Sequence, residues 1–462
     1  MSNEKFDIAI LGGGPGGYVA AIKAAQHGLK TALIEKGFLG GTCLNVGCIP
    51  TKALLASAEV YREAQHAADF GVKCEGVSFD FAKIMSRKER VVKQLRGGVE
   101  MLMKKHAITV YNGAGQLTSI DTIGVAVEGG MEVTADSIIL ATGSVPASPP
   151  IPGSNGKNVI NSDQILSWPD VPKSLTIIGG GAVGLEFAYF FNTLGAKVTL
   201  LEALPQILPA EDAQIAAELT SSLKRQRINI FTGACVQEIA DAEGTKVTRF
   251  SYNGENKEVA SEVVLIATGR WPFSTGAGYA EQGIEFAGRA VKVDEYLHTG
   301  VGEIYAIGDL IGGMQLAHKA SMEATVAVNN ILGKNIKVDR HAIPTAMYAD
   351  PGVASVGLTE VNAVAAGISV KVGNFPFRAL GKSQAIGARE GFAKVVINAE
   401  TNVVIGAQAI GHGVTDLIAD ATVAVQNNLT AAQWEQVIHP HPTLSEVFQE
   451  ALEVAQGHAL HI

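Results

Sequence analysis

Cysteine and clustered basic residues are both scarce in this chain, and their scarcity argues against two classes of protein. The 462 residues contain four cysteines, too few for the disulfide framework of a small secreted protein. Acidic residues outnumber basic ones by 45 to 36, and no basic run or basic–aromatic patch occurs. Because nucleic-acid-binding surfaces carry clustered Lys and Arg, we expect no nucleic-acid partner.

The sequence also shows no clear membrane span and no export signal. Its most span-like stretch, residues 175–201, contains Glu186, Lys197 and several glycines, which favours a buried strand–helix–strand unit. The first residues lack a basic segment followed by a cleavage site. We therefore expect a cytoplasmic protein that does not associate with membranes and whose cysteines are in a reducing compartment.

Glycine is abundant, with 52 residues, and two glycine-rich segments form an internal repeat. Each segment has the pattern G-x-G-x-x-G between an apolar strand and a helix, followed at the same spacing by a carboxylate. The residues are Gly12, Gly14, Gly17 and Glu35 in the first copy, and Gly179, Gly181, Gly184 and Glu202 in the second. In this context the helix N-terminus binds a pyrophosphate and the carboxylate accepts hydrogen bonds from a ribose. The repeat predicts two dinucleotide sites.

Glu202 also indicates which nucleotide the second site prefers. Its charge would repel a ribose 2′-phosphate, and the next basic residue after it is Lys224, which favours NAD over NADP. Each repeat later returns to a strand that ends in Ala-Thr-Gly. This recurrence adds Thr142, Gly143 and Gly269 to the candidate nucleotide-binding residues.

Cys43 and Cys48 follow the first repeat, and Pro50 predicts that a helix begins beside them. A helix N-terminus favours a thiolate. The pair could be two small buried apolar side chains, a zinc site completed by His439 and His441, or a redox-active disulfide. The neighbouring dinucleotide pattern favours the redox interpretation, because a disulfide beside a flavin can exchange two electrons with it. This hypothesis assigns FAD to the first repeat and NAD to the second, and it includes no metal.

The segment GGTCLNVGCIPTK, residues 40–52, resembles the active-site motif of the pyridine nucleotide-disulfide oxidoreductases, in particular their dihydrolipoyl dehydrogenase branch. The resemblance extends over essentially the whole chain. It implies that Cys43 exchanges with the substrate and that Cys48 is the thiolate nearer the flavin. It also implies that Lys52 pairs with Glu186 beneath the flavin, although the residue pattern alone would allow Glu186 to face solvent.

The resemblance implies further cofactor contacts outside the two repeats. Asp309, after a short apolar strand, is expected at the ribityl or pyrophosphate part of FAD. Gly115 and Ala317 are expected to contact FAD, and Val236 is expected to contact NAD.

The resemblance also implies a homodimer, because His441 would take the proton of the substrate dithiol in the partner subunit's active site, with Glu446 orienting it. On local sequence alone, Glu446 follows Thr443 at the spacing of a capping box and could simply cap the last helix.

The implied activity is FAD-dependent oxidation of protein-bound dihydrolipoyl groups, with reduction of NAD⁺ to NADH. The implied partners are the lipoyl-bearing acyltransferase of 2-oxo acid dehydrogenase complexes and the lipoyl carrier of glycine cleavage.

A related disulfide reductase, such as glutathione reductase, is the alternative function, and Glu202 argues against the NADPH that such reductases usually use. A non-catalytic flavoprotein is disfavoured because Cys43, Cys48, His441 and Glu446 are all present. Mercuric reductase and the larger thioredoxin reductases are disfavoured because no cysteine follows Cys235.

These observations predict an α/β fold with two Rossmann-like dinucleotide-binding domains and an α+β C-terminal dimerisation domain. Residues 1–148 are expected to bind FAD, 149–270 to bind NAD, 271–340 to complete the FAD domain, and 341–462 to form the interface domain. The last prediction includes an antiparallel sheet, since four strand-like segments joined by short turns occur there: Val353–Thr359, Ile368–Phe377, Phe392–Asn398 and Val403–Ile410.

Overall fold

The structure, a computed structural model, describes residues 5–462. The first part of the chain supplies six strands of a seven-stranded sheet, in the order β3-β2-β1-β6-β5-β4, and a later strand beside β6 is the seventh. Its elements are β1 (Lys5–Leu11), α1 (Pro15–Gln26), β2 (Thr31–Glu35), α2 (Gly41–Val46), α3 (Cys48–His66), α4 (Phe81–Lys105), β3 (Thr109–Asn112), β4 (Ala114–Ser119), β5 (Thr122–Ala126), β6 (Met131–Leu140) and β7 (Ser144–Pro146).

The second repeat builds a five-stranded parallel sheet with the order β11-β10-β9-β15-β8, flanked by a three-stranded antiparallel sheet. Its elements are β8 (Val159–Asn161), β9 (Ser174–Ile178), α5 (Ala182–Thr193), β10 (Lys197–Glu202), α6 (Ala213–Arg225), β11 (Asn229–Thr232), β12 (Cys235–Ala242), β13 (Thr245–Tyr252), β14 (Glu255–Ser261), β15 (Val263–Ile266) and β16 (Arg270–Pro272). Strands β16 and β7 pair and so join the two units.

The chain then returns to the first unit through β17 (Phe286–Ala287), β18 (Ala290–Val291), β19 (Ile304–Ala306) and α7 (Ala317–Ile331). Strand β19 pairs in parallel with β6, and α7 packs on α1. Residues far along the chain therefore supply part of the first nucleotide-binding unit.

The last part of the chain folds into a five-stranded antiparallel sheet with the order β20-β21-β24-β23-β22, covered by α10 and α12. Its elements are β20 (Thr345–Met347), β21 (Gly352–Gly357), α8 (Glu360–Ala365), β22 (Val370–Pro376), α9 (Gly381–Ala385), β23 (Phe392–Asn398), β24 (Val404–Gly411), α10 (Val414–Gln426), α11 (Ala431–Glu435) and α12 (Glu446–Gln456). The predicted fold class, including this antiparallel sheet, is confirmed.

The apolar parallel strands of the two nucleotide-binding units account for the position of the core. Strands β9, β10 and β15 are buried along almost their whole length because helices or further strands cover both faces of such a sheet. The two glycine repeats follow β1 and β9, and the two Ala-Thr-Gly segments follow β6 and β15, so all four lie at the carboxyl ends of parallel strands. In residues 5–462, no helix combines the length and apolarity needed to cross a bilayer.

Candidate active site

The two glycine repeats adopt the same backbone geometry. The first glycine of each has a positive φ, +109° at Gly12 and +113° at Gly179. A side chain there would overlap a strand-end carbonyl, that of Ala141 in the first unit and that of Ala267 in the second. These alanines begin the two Ala-Thr-Gly segments, so Thr142, Gly143 and Gly269 lie beside their repeats.

The second and third glycines of each repeat serve different purposes. A Cβ on Gly17 would overlap the carbonyl oxygen of Gly12, and Gly184 has the same relation to Gly179. The third glycine thus lets the helix begin against the turn. By contrast, a Cβ on Gly181 would meet no atom within 4 Å, and one on Gly14 would meet a backbone carbon at 3.9 Å. Both loops therefore leave backbone open toward a phosphate group at a helix N-terminus, which fits the expected dinucleotides.

Glu35 and Glu202 close their loops in an equivalent way. One oxygen of each carboxylate accepts a hydrogen bond from the second residue of its glycine repeat, and the other accepts from the turn just after the strand. The bonds are Gly13 N–Glu35 Oε2 2.7 Å, Gly37 N–Glu35 Oε1 2.7 Å, Gly180 N–Glu202 Oε2 2.6 Å and Leu204 N–Glu202 Oε1 2.8 Å. Each carboxylate therefore holds its own loop in shape, a role that the sequence did not indicate.

A cavity of about 540 Å³ lies against the second repeat. It brings together five of the residues predicted at NAD, namely Gly179, Gly181, Glu202, Val236 and Gly269. Its wall also includes Cys235 and Arg270, which the sequence did not single out as nucleotide-site residues. Glu202 is the acidic member of this wall.

The candidate FAD residues outside the first glycine repeat come from three parts of the chain, and each contacts an element of the first unit or the segment after β6. Asp309 lies two residues after Ile307, which follows β19, and its Oδ2 accepts a 2.6 Å hydrogen bond from the Ser144 hydroxyl, next to Gly143. Ala317 begins α7, the helix that packs on α1. Gly115 lies on β4, and a Cβ there would press on Leu11 and Ile34, near the ends of β1 and β2.

The cysteine pair lies at the junction of two helices. Cys43 lies within the short helix α2, and Cys48 is the first residue of α3. The helix therefore begins two residues earlier than Pro50 predicted, and α2 was not predicted. Gly47 makes the junction possible, because a Cβ there would lie 2.9 Å from the carbonyl oxygen of Thr42. Both cysteines are free thiols.

The two thiols differ in acidity. The pKa of Cys48 is lowered to about 7, chiefly by the hydrogen bond from the Cys43 thiol and also by the nearby charge of Lys52. The pKa of Cys43 is raised, because its proton is held in that hydrogen bond and because the thiol is largely buried. The position of Cys48 at a helix N-terminus acts in the same direction. The reduced pair therefore carries its negative charge on Cys48.

Lys52 and Glu186 form an ion pair across the two nucleotide-binding units. The Lys52 Nζ lies 2.8 Å from each Glu186 oxygen, and the carboxylate side chain is only 5% exposed. Burial raises the pKa of the Glu186 carboxyl, and Lys52 opposes that rise. Tyr348, just after β20, donates its backbone N–H to Glu186 Oε1 at 3.0 Å, and its ring centroid lies 4.5 Å from Lys52 Nζ. All three parts of the chain thus meet at this pair, and the solvent-facing alternative for Glu186 is wrong.

His441 and Glu446 form a second polar pair, in the last part of the chain. The His441 Nδ1 lies 2.7 Å from Glu446 Oε1, while Glu446 Oε2 accepts from the Thr443 N–H at 2.8 Å. One carboxylate thus orients the imidazole and also binds the chain before α12. The His441 side chain is 77% exposed, and its hydrogen bonding within residues 5–462 is to Glu446 and not to either thiol.

His439 lies apart from the cysteines in a different environment. Its side chain is buried, with Nε2 2.8 Å from Asp420 Oδ2 and Nδ1 3.2 Å from the Gln449 side-chain oxygen. Among the residues that the structure describes, no group of three or more His, Cys, Asp and Glu side chains could hold a metal ion. The zinc alternative has no support from this geometry.

Comparison with known proteins decides the family. The sequence profile of the pyridine nucleotide-disulphide oxidoreductases matches residues 6–324, and the profile of their dimerisation domain matches residues 343–452. The chain belongs to this family. It is 44% identical to the dihydrolipoyl dehydrogenase of Bacillus subtilis over the full length of both chains, and 43% identical to that of Chlorobaculum parvum over 97% of each.

Solved structures of the family have the same architecture. The HOCl-induced flavoprotein disulfide reductase RclA from Escherichia coli, as its Cu(II) complex, superposes with a TM-score of 0.88 at 29% identity. That match covers 97% of this chain and 99% of RclA. LpdA from Mycobacterium tuberculosis superposes with a TM-score of 0.90 at 26% identity, covering 96% and 98% of the two chains.

A further polar cluster in this oxidoreductase holds the loop that carries Asp309. Glu323 is fully buried on α7, and its Oε2 accepts from the Gly308 N–H at 2.9 Å. Its Oε1 accepts from Arg340 Nη2 at 2.7 Å and lies 3.2 Å from Lys319 Nζ. Lys319 in turn donates to the Gly308 carbonyl. The sequence offered one signal for this cluster, a Lys and a Glu four residues apart, which places both side chains on the same face of the helix.

Proposed function

We propose that this chain is a dihydrolipoyl dehydrogenase, which oxidises protein-bound dihydrolipoyl groups and reduces NAD⁺. The observation that carries the proposal is the asymmetric thiol pair, Cys43 and Cys48, beside the Lys52–Glu186 contact between two dinucleotide-binding units. Relatives of that name that are 40–44% identical over at least 97% of this chain support the substrate class.

The candidate residues divide between two cofactors. The first glycine loop, Glu35 and Asp309 would hold FAD, together with Gly115, Thr142, Gly143 and Ala317. The cavity beside Glu202 would hold NAD. Bound FAD supplies two-electron transfer between the thiol pair and the nicotinamide, and Lys52 with Glu186 would lie where the two cofactors meet.

The acidity difference favours substrate attack at one of the two sulfurs. A thiolate of the dihydrolipoyl group attacks Cys43 Sγ of the oxidised pair, the Cys43–Cys48 bond breaks, and Cys48 leaves as a thiolate. Attack at Cys43 is favoured because the thiol with the lower pKa is the better leaving group. The second substrate thiol then displaces Cys43 and closes the lipoyl disulfide. The pair now holds the two electrons that reduce NAD⁺ to NADH.

His441 is the proton acceptor in this scheme. With Nδ1 on Glu446, its Nε2 is the nitrogen available to a substrate thiol, and the carboxylate stabilises the imidazolium that forms. The exposure of this side chain and the match to the family's dimerisation domain support a homodimer in which His441 acts on the partner subunit's thiol pair. The lipoyl-bearing acyltransferase of a 2-oxo acid dehydrogenase complex is the proposed source of substrate, with the glycine-cleavage lipoyl carrier as a second source. The cytoplasmic location stays a prediction.

The test is NADH formation by the purified holoprotein from dihydrolipoamide and NAD⁺, with NADP⁺ in a parallel reaction. We expect turnover with NAD⁺, little with NADP⁺, and none in the matched variants Cys43→Ser and Cys48→Ser. Size measurement of the same sample should give a dimer. A flavin-containing protein that ignores dihydrolipoamide but reduces oxidised glutathione with NADPH would contradict the proposal and favour the related disulfide reductases.

A further inference from the structure

Arg270 connects three segments that belong to different parts of the candidate site. It lies on β16, the strand that pairs with β7 between the two nucleotide-binding units. Its side chain is 17% exposed and lines the cavity beside Glu202. Four of its five N–H groups are directed at protein acceptors, so it has little capacity left for a ligand phosphate. Its contacts therefore indicate a role in positioning.

The two shortest of these contacts lead to the candidate FAD site. Arg270 Nε donates to the Ser144 hydroxyl at 2.9 Å, and Nη2 donates to the Ser144 carbonyl at 3.0 Å. Since the hydroxyl accepts from Arg270, its single proton is free to donate to Asp309 Oδ2, 2.6 Å away. Ser144 is itself buried. The guanidinium thus fixes the direction of the Ser144 hydroxyl, and the hydroxyl fixes the rotamer of Asp309.

The remaining contacts lead to the redox segment and to the second unit. Arg270 Nη2 lies 3.3 Å from the hydroxyl of Thr42, the residue before Cys43. Nη1 lies 3.1 Å from Asp163 Oδ1, which follows β8 of the second unit. Because a planar guanidinium holds several acceptors in fixed directions, one side chain can set all of these segments relative to one another.

We propose that Arg270 is a positioning residue that sets how tightly the first unit retains FAD, acting through Ser144 on Asp309. A side chain from the wall of the NAD cavity thereby contributes to the affinity for the other cofactor. This inference rests on the placement of FAD beside Asp309 in the proposed function.

The test is the rate at which the holoprotein releases FAD, followed by the rise in flavin fluorescence without any lipoyl substrate. We expect Arg270→Met to release FAD about 10- to 100-fold faster, the factor for losing one hydrogen bond to a charged group. Ser144→Ala should accelerate release by a similar factor. The double variant should be no faster than the more affected single variant, because the two residues act in series.

Controls separate this role from a general loss of stability. Arg289 stacks on Trp271, the residue next to Arg270, with its guanidinium 4.1 Å from the ring centroid, so Arg289→Met should release FAD at the unmodified rate. Arg270→Lys should recover part of the retention. If Arg270→Met does not fold, Ser144→Ala still tests the chain of contacts. The proposal would be overturned if Ser144→Ala released FAD at the rate of the unmodified protein. It would also be overturned if the effects of Arg270→Met and Ser144→Ala multiplied in the double variant. Neither result depends on whether dihydrolipoamide is the substrate.

Discussion

Replacing Lys52 by Met should raise the pKa of Cys48, and replacing Glu186 by Gln should lower it. Both side chains act on the same thiol with opposite sign: Lys52 favours the Cys48 thiolate, and Glu186 disfavours it. Lys52 follows Cys48 by four residues, which is about one turn of α3. The Gln replacement preserves the shape of the Glu186 side chain but removes the charge that neutralises Lys52.

The magnitude follows from the spacing on the helix. Residues four apart have Cβ atoms about 5–6 Å apart. At about 6 Å and an effective dielectric constant between about 20 and 80, a unit charge contributes roughly 0.7–2.8 kcal/mol. This corresponds to about 0.5–2 pKa units. Since the Lys52 side chain is 32% exposed, we expect the lower half of that range, an increase of about one unit in Lys52→Met. Glu186→Gln should give a smaller decrease.

The assay is the ultraviolet absorbance of the thiolate in the reduced protein as a function of pH. Cys74 and Cys235 should first be replaced by Ser so that only the active pair contributes. The midpoint should lie near pH 7 before the charge changes, with the thiolate present above it and lost below it. Lys104→Met, at an exposed lysine near the end of α4, should leave the midpoint unchanged. Shifts of the same sign in Lys52→Met and Glu186→Gln would refute the electrostatic argument. The low pKa of Cys48 would then be due to the Cys43 hydrogen bond and the helix N-terminus.

Two further predictions concern groups outside the thiol pair. Glu323→Gln should lower the free energy of unfolding of the holoprotein by about 3 kcal/mol or more in urea, because it leaves buried Lys319 without its charge partner. Exposed Glu303→Gln is the control, and equal stability of the two variants would contradict this role. His441→Gln should slow dihydrolipoamide oxidation by about 10²- to 10⁴-fold while NADH oxidation by an artificial electron acceptor continues, and Glu446→Gln should slow it less. A parallel fall of both activities would instead indicate that His441 has a structural role.

The sequence by itself determined the two nucleotide-binding units and the class of the last sheet. Glycine spacing, a preceding apolar strand and a following carboxylate lie within one short segment, so the pattern specifies the local fold directly. The position of Cys48 at a helix N-terminus was likewise predictable from Pro50. The predicted start of the helix was wrong by two residues. The short helix α2 and the junction at Gly47 depend on the close approach of Gly47 to the Thr42 carbonyl, which cannot be inferred from the position of Pro50.

Only the tertiary structure decided which distant residues meet. Lys52 and Glu186 are 134 residues apart, and the pattern around Glu186 alone also allowed a solvent-facing side chain. Arg270 reaches Ser144 across 126 residues, and Tyr348 reaches Glu186 across 162. These contacts depend on how β16 pairs with β7 and how β20 lies against α5, and neither arrangement follows from a local pattern. Periodicity and turn residues fix which backbone elements form, whereas the pairing of buried charges depends on the packing of elements distant in sequence.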